Sequence, residues 1–440
     1  MTGSRTRLAR WAVVLSLSAV AACGTEPVSP PSPPEPSPQT QTSTVTPPPP
    51  PVIPAGDLSR VSQLVRDAIA AHRLPGAVVQ IGHGSNVVFR EAFGVRKLDG
   101  EPGLDGRPAP AEAMTEDTIF DLASLTKPLT TATAVMQLVE QGRLALDDPV
   151  QTYLPAFRPA NDPARGAQVT LRMLLTHTSG IAGDLSLDGP WGLDAPDKDE
   201  GTRRALAAWV VTNPGETFHY SDINFIILGA LVEKLTDVPL NTYVRQHIFE
   251  PLHMNDTRYL PAGTTVDSEL LARIAPTAHD GDSPGINPNH GRLLRGTVHD
   301  PTARRMGGVS GSAGVFSTVH DVGLFAQALL DRLGGRPSAF PLQRATLEQM
   351  TSPQQPGTAG GGLRGLGWDI DTAHSGPRGK VFPVGSFGHT GFTGVTLWLD
   401  PGSNTYILVL ANVIHQPGGP PIAGLSGQIA TETAGALGLY

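Results

Sequence analysis

The sequence predicts an α+β fold, an α/β sandwich. In it an antiparallel sheet built from the N- and C-terminal strands is flanked by helices, and a mainly helical lobe is inserted in the chain. Three observations predict it. Two strand-like runs, 77–81 and 86–93, are joined by a short turn. Two more, 396–399 and 405–410, repeat the arrangement near the other end. The stretch between them is dominated by helical periodicity.

The N-terminus comes first in order. Arg5, Arg7 and Arg10 precede an apolar run from Trp11 to Ala22 that is too short to span a bilayer but fits the core of a signal peptide. It ends Val20-Ala21-Ala22-Cys23-Gly24, which resembles a bacterial lipobox, and Cys23 is the chain's only cysteine. The resemblance implies lipidation of Cys23, removal of residues 1–22, and extracytoplasmic anchoring to the cell membrane by more than one acyl chain. A lone cysteine also excludes an intrachain disulfide framework and any multi-cysteine metal site. Residues 24–56 contain 13 prolines and only two charges, Glu26 and Glu35. Such a segment cannot bury a core and reads as an extended spacer.

The folded domain is expected over 57–440. Asp57 or Ser59 can cap a helix whose apolar face is Val61, Leu64, Val65, Ala68 and Ile69, and Pro75-Gly76 ends it. The strands Ala77–Ile81 and Asn86–Phe93 follow, with His83-Gly84-Ser85 as their turn. Helical patterns cover Pro128–Leu144, Leu171–Leu175, Asn224–Thr236 and Val319–Leu333. The strands Thr396–Leu399 and Thr405–Leu410 flank the turn Asp400-Pro401-Gly402-Ser403, and a small-residue helix over Ile422–Leu437 closes the chain. With 39% apolar and 16% charged residues the body is globular, and its net charge of −8 makes it a poor nucleic-acid binder.

Three short stretches can carry chemistry. In Ser124-Leu125-Thr126-Lys127, residues three apart on a helix share a face, so Lys127 would stand beside the Ser124 hydroxyl. A serine hydroxyl needs such a base to become a nucleophile, and a buried lysine of lowered pKa can be one. Of five lysines, only Lys127 has a serine three residues before it. A helix-capping serine before a surface lysine would look the same. In Tyr220-Ser221-Asp222 the phenol can relay a proton, or the tyrosine can simply precede a helix capped by Ser221 or Asp222. In Gly388-His389-Thr390-Gly391-Phe392-Thr393-Gly394, leading into a strand, glycines allow close approach of a ligand and an exposed amide can hold an oxyanion, or the stretch is a plain turn.

Taken in order, Ser124-x-x-Lys127, Tyr220-Ser221-Asp222 and His389-Thr390-Gly391 resemble the three motifs of serine β-lactamases and penicillin-binding proteins. The closest resemblance is to the branch related to class C β-lactamases, which includes esterases and D-alanyl-D-alanine peptidases. Leu174–Gly180, Asn224–Gly229 and Gly311–Thr318 also look like that branch, and the resemblance runs from about Asp57 to the C-terminus. It implies that Ser124 is acylated, that Lys127 is its base, and that Tyr220 joins the proton relay. It further implies that the amides of Ser124 and Phe392 form the oxyanion hole, and that Asp222, His389, Thr390 and Gly391 meet the substrate. No cofactor or metal is implied. The expected partners are a small-molecule or peptidoglycan-peptide substrate and the membrane, with the protein acting as a monomer.

Two departures bear on substrate. Asp222 stands where asparagine is common, and an ionised aspartate cannot donate a hydrogen bond to a substrate amide. His389 stands where many relatives carry lysine, and histidine is largely neutral at pH 7. Both point to ester or D-alanyl peptide hydrolysis ahead of β-lactam hydrolysis. A slowly deacylating wall-fragment binder is the non-hydrolytic alternative. Gly281-Asp282-Ser283-Pro284-Gly285 matches a nucleophile-elbow pattern, but Pro284 and the stretch after it cannot start the required helix, so a loop is expected. The 13 histidines show no metal-binding spacing; His177 reads as a packing or turn-forming residue, and His299-Asp300, in a loop near the site, can bind substrate or brace the loop, with bracing favoured.

Overall fold

The structure is a computed structural model that describes residues 57–356, 361–416 and 421–440. The proposed signal peptide, Cys23 and the proline-rich segment lie outside the described residues. Residues 54–440 form one compact unit.

The chain enters through the Ser59–Ala70 helix, whose first amide is accepted by the Asp57 carboxylate at 2.9 Å. Strand β1 (Gly76–His83) and β2 (Asn86–Lys97) then form the anticipated hairpin. β3 (Glu112–Ala113) extends it, and β4 (Phe120–Asp121), β5 (Arg258–Tyr259) and β6 (Val315–Ser317) form a separate small sheet in the order β4-β6-β5. β7 (Leu363–Arg364), β8 (Asp369–Asp371), β9 (Phe387–Gly391), β10 (Val395–Asp400) and β11 (Thr405–Ala411) complete the large sheet, in the order β3-β2-β1-β11-β10-β9-β8-β7. Every pairing between these eight strands is antiparallel, and the last long strand joins the first, with Ala77 opposite Ala411 and His83 opposite Thr405.

Burial explains this order. β1 is covered on both faces, so it reads as an almost unbroken apolar run rather than an alternation. Ala77, Val79 and Ile81 pack with Val61, Val65 and Ala68 of the first helix and Ile429, Ala430 and Ala434 of the Ala423–Ala436 helix. Val78 points the other way, into the larger core shared with Val322, Phe325 and Leu329 of the Val319–Leu333 helix. Each of these large apolar side chains contributes about 1.5–3 kcal/mol by leaving water. Gln80, also buried in β1, is satisfied by Tyr406 Oη at 2.7 Å and Arg90 Nε at 2.6 Å.

The inserted lobe is built mainly of helices, of which the longest is Asp222–Thr236. One expected helix differs in form. Over 128–144 the sequence predicts a regular helix, whereas the chain makes a 3₁₀ turn at Ala123–Leu125, a π-helical segment at Lys127–Ala132, and an α-helix only over Thr133–Glu140. The Thr130 hydroxyl donates to the Thr126 carbonyl and the Thr133 hydroxyl to the Pro128 carbonyl, side-chain bonds that accompany the wider winding.

Candidate active site

The turn before Ser124 is held from three directions. Asp121, buried at the end of β4, accepts the amide of Ala123 at 2.9 Å with one carboxylate oxygen and the amide of His299 at 2.7 Å with the other. Its backbone carbonyl accepts the Thr393 hydroxyl at 2.7 Å. Burial pushes its carboxyl up to about 6, against those amides, which favour the ionised form. Between Asp121 and Ser124, Ala123 takes a left-handed φ of 45°, strain that the surrounding bonds maintain. β9 passes so close that a Cβ on Gly391 would lie 2.5 Å from the Leu122 carbonyl oxygen. Glycine is therefore required there by the neighbouring chain.

Lys127 is buried, with its ammonium among several oxygens. Nζ lies 3.0 Å from Ser124 Oγ, 2.9 Å from the Ser312 carbonyl and 2.5 Å from Asp222 Oδ1. Burial opposes the charge, but the Asp222 carboxylate and Tyr220 outweigh it and hold the group above the ordinary lysine range. This corrects the expectation of a lysine with lowered pKa. The cause is Asp222, which pairs with Lys127 and also stands in the cavity wall.

Asp222 opens the Asp222–Thr236 helix, which Ser221 caps by accepting the Asn224 amide. Tyr220 stacks on His177 with ring centroids 4.2 Å apart, and His177 Nδ1 accepts the Ser221 amide at 3.0 Å. His177 thus packs, as expected, and also sets the tyrosine in place. Burial keeps the Tyr220 phenol protonated, opposed by its hydrogen bonds to Ser124 and Lys127. Asp184 lies beside Asp222, and burial and that neighbouring charge raise its pKa.

On β9, His389 is 4% exposed. Nδ1 lies 2.7 Å from the Thr390 carbonyl and so carries the proton, leaving Nε2 as an acceptor with no partner among the described residues. Burial, with the charges of Arg364 and Lys127, holds the ring well below the usual histidine range, hence neutral. Phe392 follows in the turn after β9; its ring is 73% exposed and stacks on His299.

These residues share one cavity of about 570 Å³, in whose wall stand Ser124, Tyr220, Asp222, His389, Thr390 and Phe392. Gly391, in β9, does not stand in that wall. Asp184, Asp300, Arg364 and His374 also line it, and the sequence reading assigned none of them to substrate. Asp300 and His299 do brace their loop, Asp300 by capping the Pro301–Arg305 helix, yet both face the cavity. Burial and the Asp222 charge push the Asp300 carboxyl up to about 7. No local motif marks Asp184 or Arg364; only the fold brings them together. The Gly281–Gly285 stretch is a loop as expected, with Ser283 Oγ donating to Asp282 at 2.9 Å and accepting from Arg305 at 2.8 Å.

A serine hydroxyl, a lysine and a tyrosine converging in a cavity beside an antiparallel strand have the makings of a serine hydrolase that works by acyl transfer. The family described as Beta-lactamase matches residues 61–424, and the chain belongs to that family. It is 31% identical to the N-acetylmuramyl-L-alanine amidase of Bacillus subtilis (strain 168), covering 82% of each chain. It is 32% identical to the candidate D-alanyl-D-alanine carboxypeptidase of Escherichia coli (strain K12), covering 79% of this chain and 80% of that one. Among solved structures, the hydrolase EstCE1, which has promiscuous acyltransferase activity, superposes with a TM-score of 0.61 at 23% identity, covering 86% of this chain and 97% of that one. The class C β-lactamase of Rhodobacter sphaeroides superposes with a TM-score of 0.60 at 20% identity over 85% of this chain and 98% of that one. These two show that the fold is shared.

Proposed function

We propose that the chain is an extracytoplasmic serine hydrolase, anchored to the membrane through lipidated Cys23, that cleaves ester or amide bonds through an acyl-Ser124 intermediate. D-alanyl-ended wall peptides are its proposed physiological class, and it acts as a monomer. The observation that carries the reading is the 3.0 Å contact between the buried Lys127 Nζ and Oγ of Ser124, which faces the cavity.

The charges define a proton path. Lys127 at rest is a cation and cannot itself accept a proton. As Ser124 attacks the carbonyl, Lys127 passes one proton to Asp222 and takes the hydroxyl proton in its place, so the pair gains one positive charge opposite the oxyanion that forms. The amides of Ser124 and Phe392 hold the oxyanion. Tyr220 hands its proton to the leaving group and is reprotonated through Lys127 from Asp222. Water then attacks the acyl-serine and gives a proton to Asp222, Lys127 returns a proton to Ser124 Oγ as the acid departs, and Asp222 reprotonates Lys127. The relatives named for amidase and D-alanyl-D-alanine carboxypeptidase activity support the wall-peptide class. Asp222, committed to Lys127, offers no amide donor of the kind asparagine would, which weighs against efficient β-lactam turnover.

Intact-protein mass spectrometry with a D-alanyl-D-alanine peptide, a nitrophenyl ester and a penicillin tests this directly. An acyl adduct or product release in the native chain that is absent from Ser124→Ala is expected, with D-alanine released from the peptide. Full turnover by Ser124→Ala would refute the nucleophile. Cys23→Ser should free the protein from membranes; unchanged retention would refute the anchor.

A further inference from the structure

Arg364, in the edge strand β7, is 1% exposed and lines the cavity that holds Ser124. Its Nε and Nη2 have no hydrogen-bond partner among the described residues. The carboxylate beside it, Asp369 Oδ1, is 3.6 Å from Nη1, beyond good hydrogen-bond range, and Asp369 already accepts the hydroxyls of Thr372 at 2.8 Å and Ser375 at 3.1 Å. The ring of Phe218 covers the guanidinium, 5.4 Å from Cζ. Burial works against this charge and Asp369 only partly offsets it. A buried guanidinium so weakly paired is strongly disfavoured unless something else completes it.

The two unpaired nitrogens belong to one edge of the planar group, the edge that binds a carboxylate through two parallel N–H···O bonds. His389, where a lysine might have served, is neutral and cannot supply the charge. Arg364 is therefore the fixed cation of that wall, two strands from His389 in the order β9-β8-β7. The geometry points to Arg364 as a substrate-specificity residue: it receives a free carboxylate on the acyl donor, so the enzyme selects carboxylate-bearing substrates over otherwise identical neutral ones. This rests on the acyl-hydrolase reading of the cavity and sharpens its substrate class to anionic acyl donors.

The test uses two pairs of esters on the full chain. One pair differs in the leaving group, 3-carboxyphenyl against 3-carbamoylphenyl acetate. The other differs in the acyl part, nitrophenyl hemiglutarate against the corresponding glutaramate. The native chain should favour the acid of at least one pair by roughly 10- to 100-fold in kcat/KM, carried mainly by KM, as a charged hydrogen-bonded pair gives. Arg364→Gln should abolish that preference, lowering kcat/KM on the acids far more than on the neutral esters, and Arg364→Lys should restore part of it. The pair that responds locates the carboxylate on the leaving or the acyl side. No preference in the native chain, a result that needs no variant to fold, would overturn the inference. So would a preference that survives in Arg364→Gln, or an equal loss on acid and neutral esters. Neither pair contains D-alanine, so failure to release D-alanine from a peptide would count against the wall-peptide reading alone. Turnover of both pairs by Ser124→Ala would instead remove the active-site reading and this inference with it.

Discussion

At the residue scale the site is governed by the 2.5 Å contact between Lys127 and Asp222. A lysine buried without a partner would lose its proton readily; this one is held charged, so the base must be the pair rather than the amine. Asp222→Asn removes the carboxylate and leaves the amine as the only acceptor. Ester hydrolysis at neutral pH should then fall about 10- to 100-fold, and the acidic limb of the kcat/KM profile should move to higher pH, because activity now waits for Lys127 to deprotonate. An unchanged limb would exclude Asp222 from the proton path. Ser124, Lys127, Tyr220 and His389 were legible in the sequence because each sits in a short motif with fixed spacing. The pairing of Asp222 with Lys127 was not, since motif order does not reveal which side chain a carboxylate faces across a cavity. Arg364 and Asp184 were hidden for the same reason: one comes from an edge strand and the other from a loop, with no local pattern.

At the scale of elements, the reactive turn depends on the strand beside it. Gly391 admits β9 against the Leu122 carbonyl, and Asp121 ties the turn to the His299 loop and to Thr393. Gly391→Ala should push β9 away and cost about 1–3 kcal/mol of stability from overpacking, with activity falling on the order of 100-fold through misplacement of Ser124 and the Phe392 amide. Parallel melting curves and ester kinetics check both, and an alanine variant with native kinetics would show that the close approach is dispensable. Asp121→Ala, which strands two buried amides, should cost about 2–4 kcal/mol in denaturant unfolding. The long helices and the four longest strands were readable from periodicity, because each has one face or both faces buried in the core. The π-helical start at Lys127 and the short strands β7 and β8 were not: local side-chain bonds and pairing to distant strands decide them, and neither leaves a repeating pattern.

For the whole molecule, pH enters through carboxyls that the fold keeps protonated. Asp121 titrates at about 6 and Asp300 at about 7, both above the ordinary value of 3.8. For such groups the folded state binds more protons than the unfolded chain. Their stabilising contribution is complete below the unfolded pKa and is lost as pH rises through the folded one. Asp300→Asn should therefore melt at a temperature that falls less than the native chain's between pH 4 and pH 8. The difference is on the order of 1–3 kcal/mol once screening by cavity water is included. Calorimetry across that range decides it, and parallel slopes would place the Asp300 charge outside the stability balance. The sheet adds a different consequence at this scale. β1 waits for β11, more than three hundred residues later, to cover its free edge, and the Ser124 turn waits for β9. Such distant pairings form late and slowly. The nucleophile is accordingly dormant in any nascent or clipped polypeptide. Only a chain that carries its last strands acquires a working hydrolase.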